Sequence, residues 1–225
     1  MPERKKIILN SSYNKIIHSY EIGVDEAGRG PMLGRVYSAA VILPKDDSYK
    51  HELMKDSKRF TSDKKIREAE RYIKENAIAW AVAYCTEQEI DNTNILKATH
   101  SAMHKAIKSV IAKTSADNKD YLLLIDGRDF KPLVSFKDDK LQQTPFVCIE
   151  GGDNKYTAIA AASILAKVAR DDYIEELCRD NPELIEKYNI IKNKGYGTKE
   201  HMDGIEKYGI SIFHRKTFGV CKKFT

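Results

Sequence analysis

Four acidic residues of this chain stand where β-strands are predicted to end. Asp25 and Glu26 are adjacent in EIGVDEAGRG, Asp126 ends the apolar run YLLLID, and Asp153 follows the short run FVCIE and two glycines. Adjacent carboxylates repel one another unless a cation lies between them. Carboxylate ligands without histidine or cysteine suit magnesium or manganese. Because paired ions of this kind promote phosphoryl transfer, these residues indicate that chemistry.

Spacing alone does not choose the fourth acid of such a site. The other candidates are Asp129, Asp138, Asp139, Asp171 and Asp172. The Asp126-Gly127 pair is also typical of an ordinary turn, and strand-end aspartates often cap helices. Before any comparison with a family, the metal site therefore remains one of several interpretations of these acids.

Two histidines have a spacing that could bind zinc. His100 and His104 lie four residues apart on a predicted helix, but Ser101 stands where the zinc-protease pattern needs a glutamate. We interpret both histidines as helix-surface residues. The four cysteines form no Cys-x-x-Cys pair, which disfavours a structural zinc site.

A loop rich in glycine follows the first two acids. Gly28, Arg29 and Gly30 combine conformational freedom with a cation, which lets a ligand approach the backbone closely. Farther along, KNKGYGTKEH and FHRKTFGVCKKFT mix cations with aromatic residues, Tyr196 among them. That mixture suits a nucleic-acid backbone with stacked sugars or bases. On composition alone, a solvated basic tail is an equal alternative.

The elements that must position these residues alternate along the chain. Strands are predicted at about 36–43, 77–85, 121–125 and 146–150, besides the alternating residues Ile22 and Val24 before the first acids. Helices are predicted from about Asp63, from about Asn92, over 157–177 and near 199–208. This alternation predicts an α/β fold, in which ligands bind beyond the carboxyl ends of the strands.

Composition sets the broad class of the protein. The 225 residues carry a formal net charge of +5, with 42% apolar residues, enough for a real core. A mildly basic chain permits a polyanionic partner without requiring one. No segment resembles a secretory signal or a membrane helix. We expect a cytoplasmic monomer with reduced cysteines and no membrane contact.

Several motifs in a fixed order resemble the ribonuclease HII family. They are DEAGRGP, DSKRF, NILKATHSAM, LIDG, AASILAKVARD, GYGTKEH and HRKTF, and they span about residues 21–219. The resemblance implies a ribonuclease-H-like fold, with a central mixed sheet flanked by helices and a helical C-terminal extension. In terms of domains, it implies an N-terminal arm (1–20), a catalytic core (21–180) and a basic helical extension packed on the core (181–225).

The resemblance also implies an activity and its ligands. It implies an endoribonuclease that cuts the RNA strand of RNA–DNA hybrids and incises duplex DNA on the 5′ side of a single ribonucleotide, as the first step of its removal. The implied reaction is two-metal-ion hydrolysis with Mn²⁺ or Mg²⁺, leaving 5′-phosphate and 3′-hydroxyl ends.

Site residues follow from matching the motifs position by position. The four acids of the family match Asp25, Glu26, Asp126 and Asp153, and only this match selects Asp153 over Asp171. The remaining matches are to substrate-binding positions: Gly28, Arg29 and Gly30 in the ribose-sensing loop, Lys58 near a phosphate, and Tyr196 at the RNA–DNA junction. As the 2′-hydroxyl distinguishes RNA from DNA, a loop that contacts it would supply the specificity.

The chain departs from the family pattern in two places. Gly151 stands where bacterial members usually have lysine, and residues 128–148 form a longer, more charged excursion. Two other functions remain open: a non-catalytic hybrid-binding subunit on the same fold, and a metal nuclease acting on DNA junctions. The intact acids disfavour the first, while the glycine–arginine–glycine loop and Tyr196 disfavour the second.

Overall fold

A five-stranded mixed sheet forms the centre of the computed structural model, which describes residues 8–14, 20–114, 120–137 and 139–224. The strands are β1 Tyr20–Ala27, β2 Val36–Ile42, β3 Ala79–Cys85, β4 Tyr121–Asp126, β5 Val134–Lys137, β6 Lys140–Gln143 and β7 Phe146–Ile149. The helices are α1 Asp63–Asn76, α2 Glu87–Asn92, α3 Ile95–Ile111, α4 Thr157–Asp180, α5 Glu183–Tyr188, α6 Ile190–Asn193 and α7 Lys199–Tyr208.

The order of the strands in the sheet is β3-β2-β1-β4-β7. The pairs β1–β2 and β2–β3 are antiparallel, whereas β1–β4 and β4–β7 are parallel. This confirms the α/β class and the mixed sheet implied by the family resemblance. The excursion at 128–148 contains a separate antiparallel hairpin of β5 and β6 before the chain enters β7.

Helices cover both faces of the sheet. Helices α1 and α4 pack on one face through a cluster that includes Val41, Ile73 and Ile164. Helix α3 packs on the other face, where its Ile107 belongs to the same cluster as Leu123 of β4. The first half of α4 is buried almost all round, as its apolar sequence predicts. A Cβ at Gly23 would collide with the Ala158 backbone, so only glycine lets β1 and α4 approach this closely.

Two helix and strand boundaries differ from the sequence-based prediction. The helix expected from about Asn92 is α3, which begins at Ile95 with Asn94 as its N-cap. The short helix α2 before it was not predicted, and it begins with a capping box between Thr86 and Glu89. Strand β1 does not end before the acids but runs through Asp25 and Glu26 to Ala27. Its hydrogen bonding to β2 continues to that point, which holds the acid pair on an extended backbone.

Helices α5–α7 form the C-terminal part and pack against α4. Their cluster joins Leu177 of α4 with Leu184, Tyr188 and Ile205, and it also includes Leu33 from the segment after β1. The helical C-terminal part is thus confirmed, while the division at residue 180 stays a prediction. Residues 1–7 and 15–19 of the predicted N-terminal arm lie outside the described residues. Within the described parts, no helix is long and apolar enough to cross a membrane.

Candidate active site

Parallel pairing of β1 with β4 places two of the predicted acids side by side. The pairing runs up to Val24 and Ile125, so the next positions on the two strands are Asp25 and Asp126. Asp25 is buried, and Ser38 donates a hydrogen bond to its backbone carbonyl. Strand register, rather than a local turn, therefore brings together two carboxylates that are 101 positions apart in the sequence.

The other two acids reach the same edge of the sheet by different routes. Asp153 lies on a short 3-10 turn after β7, and the backbone N–H of Gly152 in that turn donates to Oδ1 of Asp126 at 2.7 Å. Gly151 precedes this turn with φ +60°, a left-handed conformation that suits glycine. Glu26 is less buried than Asp25, and the guanidinium of Arg29 lies 3.2 Å from its carboxylate.

Burial and mutual repulsion raise the pKa of all four carboxyl groups. Burial is the largest cause for each group. For Asp25, the charges of Glu26 and Asp126 add to it and hold the pKa well above its usual range. For Asp153, the charges of Asp56 and Asp126 act in the same direction. Arg29 partly offsets the shift at Glu26.

This donor set fits a hard divalent cation. The donors are carboxylate oxygens, and a cation among them would relieve the repulsion that raises their pKa values. Among the described residues, no three acidic, histidine or cysteine side chains already form a metal cage. Hydrogen bonds from Gly152 to Asp126 and from Asn154 to Asp153 orient two of these carboxylates.

Two arginines distant in sequence, Arg170 and Arg215, hold the glycine–arginine–glycine loop in place. Gly28 has φ +93°, and a Cβ there would collide with Nε of Arg170. The buried guanidinium of Arg215 donates to the carbonyls of Gly28 at 2.6 Å and of Arg29 at 3.0 Å. Burial, with the charge of Arg170, lowers the pKa of Arg215 to about 9, which leaves it charged at neutral pH.

Tyr196 lies directly against this loop. A Cβ at Gly30 would be 3.4 Å from Cε1 of the Tyr196 ring, so the two residues are in contact distance. The ring is half exposed, and the guanidinium of Arg170 lies 5.8 Å from its centroid. The N–H of Met32 donates to the carbonyl of Gly195 at 2.8 Å, which joins the tyrosine segment to the chain just after the loop.

All nine residues selected from the sequence line one cavity of about 610 Å³. They are Asp25, Glu26, Gly28, Arg29, Gly30, Lys58, Asp126, Asp153 and Tyr196. The positive charge of Lys58 offsets part of the rise in the pKa of Glu26, Asp126 and Asp153, so Lys58 is close to the acids. Their geometry is compatible with the roles predicted for them, and those roles remain predictions.

Two residues close to the acids escaped the sequence reasoning. Ser163 of α4 donates to the Asp25 carboxyl, and Asp56 adds a fifth negative charge close to Asp126 and Asp153. Both residues belong to motifs of the family, DSKRF and AASILAKVARD, which is the signal that could have found them. Asp171, which spacing alone left open, also lines the cavity but forms an ion pair with Lys167.

One prediction about the histidines is wrong. His100 is buried, not a helix-surface residue, and its Nε2 lies 3.3 Å from the carbonyl oxygen of Asp129. It lines a second cavity of about 300 Å³ that shares Glu26, Arg29 and Asp126 with the first. His104 is less buried, and its Nε2 is 2.7 Å from the carbonyl oxygen of Lys131. Both imidazoles thus anchor the segment after β4 to α3.

Comparisons with known proteins agree with the geometry. A family model described as ribonuclease HII matches residues 22–221. The ribonuclease HII of Parabacteroides distasonis is 45% identical over 198 residues, which cover 88% of this chain and 89% of the relative. A match of this identity and extent shows common family membership rather than a shared fold alone.

Solved structures show the same fold at lower identity. The ribonuclease H2 of Pyrococcus horikoshii OT3 has a TM-score of 0.65 and 23% identity, covering 91% of this chain and 96% of that one. Bst-RNase HIII, crystallised in complex with Mn²⁺, has a TM-score of 0.66 and 19% identity, covering 93% of this chain and 70% of that one. The sequence matches and the acid-lined cavity together show that this chain belongs to the ribonuclease HII family, endoribonucleases that act on RNA–DNA hybrids.

Proposed function

We propose that this enzyme incises duplex DNA on the 5′ side of a single ribonucleotide, in addition to cutting RNA–DNA hybrids. One observation carries the proposal: the contact between Gly30 and Tyr196 lies in the same cavity as the four acids. The loop would contact the 2′-hydroxyl of the ribonucleotide, and the Tyr196 ring would stack on the neighbouring deoxyribose. Together these contacts would recognise an RNA–DNA junction beside the scissile phosphate. Such incision would begin the removal of ribonucleotides from DNA.

We further propose Mg²⁺ or Mn²⁺ as the cofactor. Asp25, Glu26, Asp126 and Asp153 would hold the ions, a role supported by their shared repulsion and by the Mn²⁺ complex of the structurally similar RNase HIII. When bound, two such ions would supply activation of a water for in-line attack and stabilisation of the charge on the departing oxygen. The water oxygen forms a bond to phosphorus as the P–O3′ bond breaks, which leaves 5′-phosphate and 3′-hydroxyl ends.

The protein's own residues would orient the substrate. Lys58, beside the acids, would neutralise a phosphate near the cut, and Arg29 would leave Glu26 for a phosphate when a cation occupies the acids. Tyr196, half exposed and supported by Arg170, would stack on the sugar that follows the ribonucleotide. A monomeric state and a cytoplasmic location are part of this proposal and rest on the sequence.

The direct test is cleavage of an end-labelled DNA duplex that contains one ribonucleotide. The reactions would contain magnesium, manganese or chelator, with an RNA–DNA hybrid and an all-DNA duplex as matched substrates. A metal-dependent nick on the 5′ side of the ribonucleotide is expected. Cleavage of the hybrid without any such nick would overturn the junction proposal and leave the hybrid activity. Cleavage of the all-DNA duplex would overturn ribose recognition.

A further inference from the structure

Arg215 makes an unusually complete set of hydrogen bonds to one loop. Its five N–H groups donate to five backbone carbonyls at 2.6–3.2 Å, those of Gly28, Arg29, Pro31, Gly34 and Arg35. The side chain is fully buried and forms no salt bridge with a described residue. A buried charge is costly unless it is well paired, and here backbone dipoles provide the pairing. Lysine has three donors and no planar fork, so it could not replace this arrangement.

These hydrogen bonds set the direction of the loop's peptide groups. All peptide bonds in the described parts of the chain are trans. In a trans peptide the C=O and the following N–H point in opposite directions. Since Arg215 binds the carbonyls of Gly28 and Arg29, the N–H groups of Arg29 and Gly30 point away from Arg215. The loop residues line the acidic cavity, so these N–H groups are available to a ligand there.

The preceding residue, His214, fixes the segment of Tyr196. The backbone N–H of Ser211 donates to Nδ1 of His214 at 2.9 Å, which leaves the proton on Nε2. That Nε2–H faces Nε2 of His201 at 3.0 Å, so Nδ1 of His201 carries its proton and donates to the Tyr196 carbonyl at 2.9 Å. Both imidazoles are fully buried. Two neutral imidazoles thus connect His214 with the carbonyl oxygen of Tyr196 through a chain of hydrogen bonds.

The dipeptide His214-Arg215 therefore reaches both parts of the proposed junction site. It is anchored by a β-bridge between His214 and Leu33, and the N–H of Arg215 donates to the carbonyl of Met32 at 2.8 Å. We propose that Arg215 and His214 are positioning residues for ribose recognition, Arg215 by aiming the N–H groups of loop 28–30 and His214 by fixing Tyr196 against that loop. This inference rests on the proposed recognition of single ribonucleotides.

Binding of three duplexes by the full chain tests the inference. Asp25→Asn would serve as the parent, so that affinity can be measured with magnesium and without cleavage. The probes are a fluorescent DNA duplex with one ribonucleotide, the all-DNA duplex of the same sequence, and an RNA–DNA hybrid. We expect the parent to prefer the ribonucleotide duplex, and Arg215→Lys to reduce that preference about tenfold, the contribution of one or two hydrogen bonds. Affinity for the all-DNA duplex should change less than about twofold, because that duplex has no 2′-hydroxyl for the loop N–H groups to bind.

Matched variants separate positioning from loss of stability. Ile73→Val weakens a core cluster away from the loop and should lower the melting temperature while preserving the ribonucleotide preference. His214→Gln keeps a donor toward His201 and should retain most of the preference, whereas His214→Leu removes that donor and should lose it. A difference between these two variants would show that His214 acts through its hydrogen bond to His201. This comparison tests the inference even if Arg215→Lys does not fold.

The outcomes distinguish the inference from the function on which it rests. No ribonucleotide preference in the parent would overturn both. A parent that prefers the ribonucleotide, with Arg215→Lys retaining that preference, would overturn the role of Arg215 alone. If Ile73→Val loses the preference as strongly as the two positioning variants at equal melting temperature, the effect is general destabilisation and the inference is wrong.

Discussion

Asp25 and Asp126 occupy adjacent positions near the carboxyl ends of the parallel strands β1 and β4, one residue beyond the Val24–Ile125 pair. Each carboxylate raises the free energy of the other's charged form, and burial adds to the effect. The sheet that holds the fold together therefore forces like charges together at the site. The carboxylates that favour cation binding should therefore lower the stability of the protein when no cation is bound.

Asp25→Asn should abolish cleavage while preserving hybrid binding. Removing one carboxylate from the ion-binding set should reduce turnover about 100-fold or more, because the lost stabilisation of transition-state charge is several kcal/mol. The same variant should unfold at a higher temperature in chelator, since the substitution removes one of the mutually repelling charges. Calorimetry and a hybrid-cleavage assay check both effects. Near-normal turnover in metal-controlled buffer would contradict the assignment of Asp25.

Divalent cations should raise the melting temperature of the wild-type protein. A ligand that binds only the folded state stabilises it by about 2.7 kcal/mol at 100 times its dissociation constant. Titration with MgCl₂ and MnCl₂ should therefore shift the transition upward, with little shift for the double variant Asp25→Asn, Asp126→Asn. Sodium chloride at matched ionic strength is the control. Equal shifts in both proteins would show that the acids are not the binding site.

Tyr196→Ala should impair incision at a single ribonucleotide more than cleavage of a long hybrid. The ring is half exposed, so its removal should cost little stability, within about 1 kcal/mol. Loss of stacking on the sugar should reduce junction cleavage about tenfold or more, if stacking contributes about 1–3 kcal/mol. Tyr196→Phe, which keeps the ring, is the matched control. An equal loss on both substrates, with a lowered melting temperature, would make Tyr196 structural.

The stability of the fold should depend on the neutral His201–His214 pair in mildly acidic solution. Burial, with the neighbouring His201, lowers the pKa of His214 to about 3, from an ordinary value of 6.5. The groups that face His214 are His201, Ser211 and the ring of Tyr188. Between these two pKa values the unfolded chain binds a proton that the folded chain does not, so stability decreases as pH falls below 6.5.

The contribution of His214 to this effect is set by one proton, at most about 1.4 kcal/mol per pH unit. Urea unfolding at pH 7.5, 6.5 and 5.5 would measure it, and His214→Gln should flatten the decrease between pH 6.5 and 5.5. His104→Gln is a suitable comparison, because His104 is partly exposed and its Nε2 lies against the carbonyl oxygen of Lys131 rather than against a histidine nitrogen. Parallel curves for the wild type and His214→Gln would contradict a neutral buried His214.

Much of the architecture followed from local patterns in the sequence. The apolar run before Asp126 and the apolar first half of α4 predict a buried strand and a buried helix, and the structure has both. Helix α1 begins at Asp63, as the sequence predicts, and Ser62 is its N-cap. These features depend on neighbouring residues, whose side-chain periodicity and capping preferences act over a few positions. The order of motifs was enough to indicate the family.

Long-range packing decided the rest. The sequence could not show that Asp56 lies near Asp126, or that His100 is buried against the Asp129 carbonyl. It also gave no sign that Arg215 binds the carbonyls of a loop more than 180 residues earlier, since a hydrogen bond to backbone needs no particular residue type at the acceptor. The sequence by itself determined which residues carry the chemistry, through their types and their order. Strand register and the packing of the C-terminal segment determined which of them meet, because those contacts exist only once distant parts of the chain fold together.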